Sequence, residues 1–317
     1  MRKQSVGFKI LLLTVVMLIS IMAFMTYHTY GNWEFALPLR GKKVLAFIIV
    51  GALTSFSTIS FQTITRNQFL TPGILGFDSL YVLMQTLLFF FLGQSLTKTP
   101  LVFLLNVLLM VTFSVLLFGF ILRREKKDLF LLLMIGMVLG TAFSSISTFL
   151  QVLMDPNEYD KLQGKLFASF SNVDVSLLFV VIPIVLVVII LFFRAAHVLD
   201  VFHLGTEQAT SLGINVARFQ KYILYLVSLS VALSTALIGP VTFLGFIVAN
   251  VTYQWLGTYK HQWLFIGSTL ISVFLLVFGQ FLIEHVFHMS TTLSVVIEFG
   301  GGVYFIWKLL KERGKVT

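Results

Sequence analysis

The sequence predicts an all-α polytopic membrane protein of about ten transmembrane helices, and three observations carry that prediction. Of the 317 residues 58% are hydrophobic and only 11% are charged, with a mean hydropathy of +0.97, whereas soluble chains carry about a quarter charged residues. Apolar runs of roughly 20 residues, the length that crosses the hydrocarbon core, recur from one end of the chain to the other. Lys and Arg, which hold loops on the cytoplasmic side, collect in alternate connections between those runs.

Taken in order, the first span is expected near 8–28; Phe8–Thr26 has no small-residue cleavage site after it and reads as a retained helix rather than a removed signal peptide. A second span near 43–63 is followed by Arg66–Asn67 and Thr71–Pro72–Gly73, read as a cytoplasmic turn in which Pro72 blocks the helix and Gly73 permits the reversal. Spans near 74–93, 100–122 and 128–153 come next. The loop Asp155–Asp174 is polar and carries a Pro; it is either an outer docking surface or an ordinary solvated loop. After a span near 174–195 comes the polar stretch 204–221, then 217–238, a Gly239–Pro240 turn expected outside, 241–256 (the shortest), 262–284 and 291–310. With the N-terminus inside, 16 of the 22 Lys and Arg fall inside, and the outer six are Arg40, Lys42, Lys43, Lys98, Lys161 and Lys165. Both termini are then cytoplasmic. No charge run or low-complexity linker divides the chain, so 1–317 reads as one transmembrane domain.

The 34 Phe and 22 Gly suit lipid-facing bulk and close helix packing. The net charge of +9 is accounted for by cytoplasmic loops and does not call for nucleic acid. Without cysteine there is no disulfide framework, thiol chemistry or Cys-ligated metal.

Leu204–Lys221 is the one sizeable polar segment deep in this apolar chain. Thr206, Glu207, Gln208, Thr210, Ser211 and Asn215 cannot face lipid without a heavy free-energy cost. Glu207–Leu212 reads as a short surface helix ended by Gly213, where glycine makes a left-handed cap easy. A compact helix between two spans, on the basic side, is a mechanical contact point, and an ATPase on another chain is the partner expected there.

Enzymatic chemistry finds little support. The Gly-Lys pairs at Gly41–Lys42, Gly164–Lys165 and Gly314–Lys315 lack the rest of a phosphate-cradling G-x-x-x-x-G-K-[ST] loop. His285 and His288 follow Glu284 with the spacing of a metal pair, but an interfacial helix end is the preferred reading. Asp78 and Glu298, carboxylates within spans, belong either to a proton relay or to packing against a neighbour or wet cavity; the second is favoured. Gly300–Gly301–Gly302 reads as close helix packing.

Four segments in register resemble one family, the iron-siderophore, haem and vitamin B12 group of ABC importer permeases. Arg40-Gly-Lys-Lys43 resembles its Arg-Leu-Pro-Arg stretch before helix two. Gln62-Thr-Ile-Thr-Arg66-Asn67 with Thr71-Pro72-Gly73-Ile-Leu-Gly76 resembles its Gln-x-x-x-Arg-Asn-Pro-Leu-Ala-x-Pro-x-x-Leu-Gly element. Leu204–Val216 resembles the segment that meets the ATPase, and Gly239–Val248 the signature opening helix eight. The departures at Gln68-Phe69, Ala249-Asn250, Gly279-Gln280, Ser290–Thr292 and Glu298 resemble the subgroup importing catecholate or mixed catecholate–hydroxycarboxylate siderophores, in which two different permease chains pair.

The resemblance implies a BtuC-like type II ABC importer permease. Its assembly would hold two ATPase copies, a second and different permease chain, and an extracytoplasmic binding protein delivering a ferric siderophore. It would place ATPase coupling on Thr206, Glu207, Gln208, Ala209, Ser211, Leu212, Gly213, Ile214 and Val216, and binding-protein docking on Arg40 and Lys43. Lys161 and Lys165 add steering charge. The translocation path would run along helix five past Ser144, Ser145, Ser147 and Thr148. No cofactor, resident metal or catalytic residue is implied. The competing expectations are an ion-coupled secondary transporter using Asp78 and Glu298, a structural membrane protein without cargo, and a permease for haem or vitamin B12.

Overall fold

The computed structural model describes residues 5–29, 33–92, 100–121, 129–166, 170, 175–287 and 291–313. In these the chain forms α1 (Val6–Thr26), α2 (Trp33–Thr65), α3 (Phe77–Leu92), α4 (Pro100–Ile121), α5 (Leu129–Val152), α6 (Pro156–Leu166), α7 (Val175–Phe202), α8 (Thr206–Ser211), α9 (Val216–Ile238), α10 (Leu244–Leu256), α11 (His261–His285) and α12 (Leu293–Arg313), with a 3₁₀ turn at Pro72–Leu75. All but α6 and α8 correspond one for one to the predicted spans. Seven are long and apolar enough to cross a membrane, namely α1, α2, α5, α7, α9, α11 and α12. The connection 122–128, His288 and Ser290 fall outside the described residues.

Burial sorts these helices. The most apolar window of α2 is 78% buried and that of α9 72%, against 6% for α1; α2 and α9 form the centre and α1 lies at the rim. Phe56 of α2 stacks on Phe265 of α11 with ring centroids 4.4 Å apart, and Phe192 and Phe193 of α7 pack edge-on against the same pair. Such pairs add to the large apolar area that the rings remove from water. At one end of the bundle Lys9 Nζ donates to the Trp255 carbonyl at the close of α10, 2.6 Å away. Arg66, just past α2, approaches Gly205 before α8 at the same end.

Two expected turns lie elsewhere than the sequence reading placed them. Arg40, beside the close of α1, and Arg66, beside α8, bracket a stretch of α2 about 39 Å long at about 1.5 Å per residue. Thr54 and Thr58 sit near its middle, and there both breaks converge. A cavity of about 30 Å³ is lined by Val50, Thr54 and Thr58 together with Gly73, Asp78, Gly239 and Thr242. The Gly239–Pro240 turn, expected at the outer surface, is therefore at mid-depth and touches the 71–78 segment. It stays there because α10 begins against α2: a Cβ on Gly245 would stand 2.1 Å from Thr58 Oγ1. Helices α3 and α10, of 16 and 13 residues, are consequently shorter than the full spans. Irregular backbone at this depth is tolerated only when it is buried in protein or lines a polar cavity.

Helix α5 is notched to receive the first break. Gly76 (φ +83°) presses on Gly136 and Gly140; a Cβ on Gly136 would stand 2.8 Å from Leu75 Cα, and one on Gly140 3.2 Å from Gly76 Cα. This is the small-residue spacing by which membrane helices approach closely. Gly301 serves α12 the same way against Phe243, whereas Gly300 and Gly302 have no such neighbour. The polar loop after α5 carries α6, and α2 begins ten residues ahead of its predicted span, tolerating Pro38 in its first turns.

Candidate functional site

Helix α8 follows directly from α7. The chain leaves α7 at Phe202, turns through Gly205 (φ +120°), forms Thr206–Ser211, and closes at Gly213 (φ +81°). The closing geometry is a Schellman cap: Ile214 N–H donates to the Ala209 carbonyl at 3.0 Å and Gly213 N–H to that of Thr210 at 2.9 Å. Asn215 then caps α9 by accepting from Arg218 N–H at 3.1 Å. Ala209 is wholly buried and Ile214 packs on the core, anchoring the segment. Its outward face combines Leu204 (63% exposed) and Leu212 (65%) with exposed Glu207, Gln208, Thr210 and Ser211. Thr206 and Val216 are half-buried at the two ends. A fixed, shallow, mixed apolar–polar surface of this kind suits docking and offers no group arranged for chemistry.

Behind α8 the helix ends are tied by a polar triad absent from the sequence reading. His261 opens α11; its backbone N–H and its Nδ1–H both donate to Asp200 Oδ1 of α7 at 2.7 Å, and its Nε2 lies 2.8 Å from Thr63 Oγ1 of α2. Asp200 is six residues ahead of Thr206, so the triad ties the end of α7 that leads into α8 to α11 and α2. The sequence signal for it was weak: an Asp, a His and a Thr far apart in the chain, each ordinary at a helix end.

The residues expected at the opposite end are placed differently. The Arg40 guanidinium donates to the carbonyls of Phe24 (2.8 Å), Met25 (3.2 Å) and Tyr27 (2.7 Å), closing α1. Lys43 is only 6% exposed, and its Nζ lies 2.6 Å from Glu284 Oε1, which also accepts from Gln280 Nε2 at 2.8 Å. Lys43 therefore neutralises a carboxylate inside this chain rather than presenting charge to a visitor. On α5, Ser144 donates to Ser79 Oγ at 3.0 Å, and Ser145 and Thr148 are exposed with hydroxyls bonded back to their own helix. Ser147 is 1% exposed and its hydroxyl donates to the Phe143 carbonyl of its own helix, whereas the other three are exposed. Asp78 accepts from Thr242 Oγ1 at 3.1 Å, and Glu298 on α12 is within electrostatic reach of it. His285 packs between Tyr27 and Phe281, and among the described residues no group of three His, Asp or Glu is placed to hold a metal.

The chain is a multi-pass helical bundle with a short capped helix exposed between two spans, and its relatives make it a permease subunit of an ABC importer. The chain belongs to the FecCD transport family, whose model matches residues 6–311. It is 46% identical over 316 residues to the petrobactin import system permease protein YclO of Bacillus subtilis, covering 99% of each chain. The petrobactin import system permease protein FatC of Bacillus anthracis is 40% identical over 273 residues, 85% of this chain and 77% of that one. Among solved structures, a metal-chelate type ABC transporter in an inward-facing conformation shares the fold, with a TM-score of 0.85 at 22% identity over 97% of this chain and 100% of that one.

Proposed function

We propose that the whole chain acts as one membrane domain, the permease subunit of an importer that carries a ferric siderophore of the petrobactin kind across the cytoplasmic membrane. The observation that carries the ABC reading is the rigid, capped α8 with its exposed Leu204–Leu212 surface; a secondary transporter has no need of such a surface. The cargo reading is supported by the two petrobactin permeases at 46% and 40% identity. An ATPase on a separate chain meets Thr206–Val216, and ATP hydrolysis belongs to that chain. The partner permease is a different protein: FatC and FatD are both named as petrobactin import permeases of one organism, and this chain is 40% identical to the first and 29% to the second. An extracytoplasmic binding protein delivers the cargo to the end bearing Arg40, and α5 contributes Ser144, Ser145 and Thr148 to the path. Ser147 takes no direct part in that path, since its side chain is buried. Both termini are cytoplasmic.

The test is uptake of iron-55 petrobactin by cells lacking this chain and complemented with it. Uptake should vanish and return with the gene. Unchanged petrobactin uptake together with loss of haem or vitamin B12 uptake would reassign the cargo, and unchanged uptake after deletion of the ATPase would reject the ABC reading.

A further inference from the structure

The mid-depth cavity between the two helix breaks carries a site that the transport reading does not use. Its one charged lining group is Asp78, on the first turn of α3. Among the described residues no Lys, Arg or His pairs with Asp78, and the ionisable group it interacts with is a second carboxylate, Glu298. A carboxylate at that depth must either take up a proton or find a compensating charge.

The rest of the lining mixes hydroxyls with apolar groups such as Val50, Val231 and Val241. Thr242 Oγ1 lies 3.1 Å from Asp78 Oδ2. Thr58, Thr71 and Thr235 are 2%, 7% and 3% exposed and line the same cavity, and their hydroxyls take part in no hydrogen bond among the described residues. Helix α9 ends here at Gly239 (φ +96°), so the negative end of its dipole faces the cavity. Interrupted helices whose carbonyl ends and hydroxyls meet at the bilayer midplane are the geometry in which membrane proteins hold small cations. The volume, about 30 Å³, matches one water-sized occupant.

We propose that this cavity binds one sodium ion between the Asp78 carboxylate and the hydroxyls of Thr58, Thr71, Thr235 and Thr242. The ion neutralises Asp78 and fastens the start of α3 to the α9–α10 break. It does so whatever the cargo.

The experiment uses the purified importer complex, exchanged into choline chloride and titrated with NaCl at constant ionic strength. The readouts are the unfolding midpoint of this chain and sodium-22 binding. Ligand linkage predicts a saturable rise in the midpoint with sodium, absent with choline and much weaker with potassium, and one sodium bound per chain. Asp78→Asn should abolish both responses. Thr242→Val should raise the half-saturating sodium concentration at least tenfold, and it decides the matter if Asp78→Asn does not fold. Identical midpoints in sodium, potassium and choline salts, with no sodium-22 bound, would overturn the proposal and leave Asp78 protonated. A sodium response retained in both variants would also overturn it, by placing the ion elsewhere.

Discussion

Gly213 sets the shape of the docking surface, and a graded series at this one position tests that role. Its φ is +81°, and an added Cβ would meet nothing within 4 Å. Substitution is therefore opposed by backbone conformation and not by crowding. Alanine should cost about 1–2 kcal/mol for a left-handed conformation, and asparagine less, because its side chain tolerates that region. Since 1.4 kcal/mol is about tenfold, Gly213→Ala should lower the population of correctly capped α8, and hence uptake, by about 30-fold at most. Proline is different in kind. Its φ is fixed near −65°, about 146° from the native value, and it has no N–H to donate to Thr210. Gly213→Pro should abolish siderophore uptake and ATPase coupling while the protein stays in the membrane at wild-type level. Uptake in the order Gly, Asn, Ala, Pro, measured beside membrane abundance, is the expected outcome. Normal transport by Gly213→Pro, or an alanine variant as inactive as the proline one, would refute the reasoning.

Four further outcomes follow from contacts in the bundle. Lys43→Met leaves Glu284 buried and unpaired, so the unfolding midpoint should fall by the equivalent of about 3–5 kcal/mol, and adding Glu284→Gln should recover most of it. Arg40→Glu in a chain with Lys43 intact should weaken binding-protein docking more at low salt than at high, read by binding titrations. Asp200→Ala removes both hydrogen bonds from His261 to α7 and leaves the one to Thr63; it should cost about 2–3 kcal/mol and raise ATP hydrolysed per siderophore carried, whereas Asp200→Asn retains an acceptor and should be milder. Gly136→Ala forces a Cβ onto the Leu75 backbone and should lower the midpoint by the equivalent of about 1–3 kcal/mol, with no comparable loss for Gly302→Ala, which has open space.

The sequence exposed those features whose cause is local. Leu204–Val216 was legible because polar residues in an apolar chain must find water, and Gly213 because only a cap explains glycine just there. The helices themselves were legible because apolar length is a property of each run alone. Depth was not. The runs 74–93 and 241–256 are apolar enough to read as spans, yet Gly245 against Thr58 and Gly76 against Gly140 hold their starts at the middle of α2. Burial of a charge was equally hidden, since Lys43 and Glu284 are 241 residues apart. Ser147 was grouped with Ser144, Ser145 and Thr148 by composition, whereas burial separates it from them.

The short length of α10 bears on how the chain enters its membrane during synthesis. Thirteen residues make a helix of about 20 Å, short of the roughly 30 Å hydrocarbon layer. Segment by segment, the insertion machinery would meet α9 as a full span and α10 as one too short to partition alone. The two must therefore enter as a hairpin whose bend is sheltered by α2, already in place. Residues such as Thr54 and Thr58 are then needed before transport is ever possible, and defects there would surface as degraded nascent chains rather than as idle transporters.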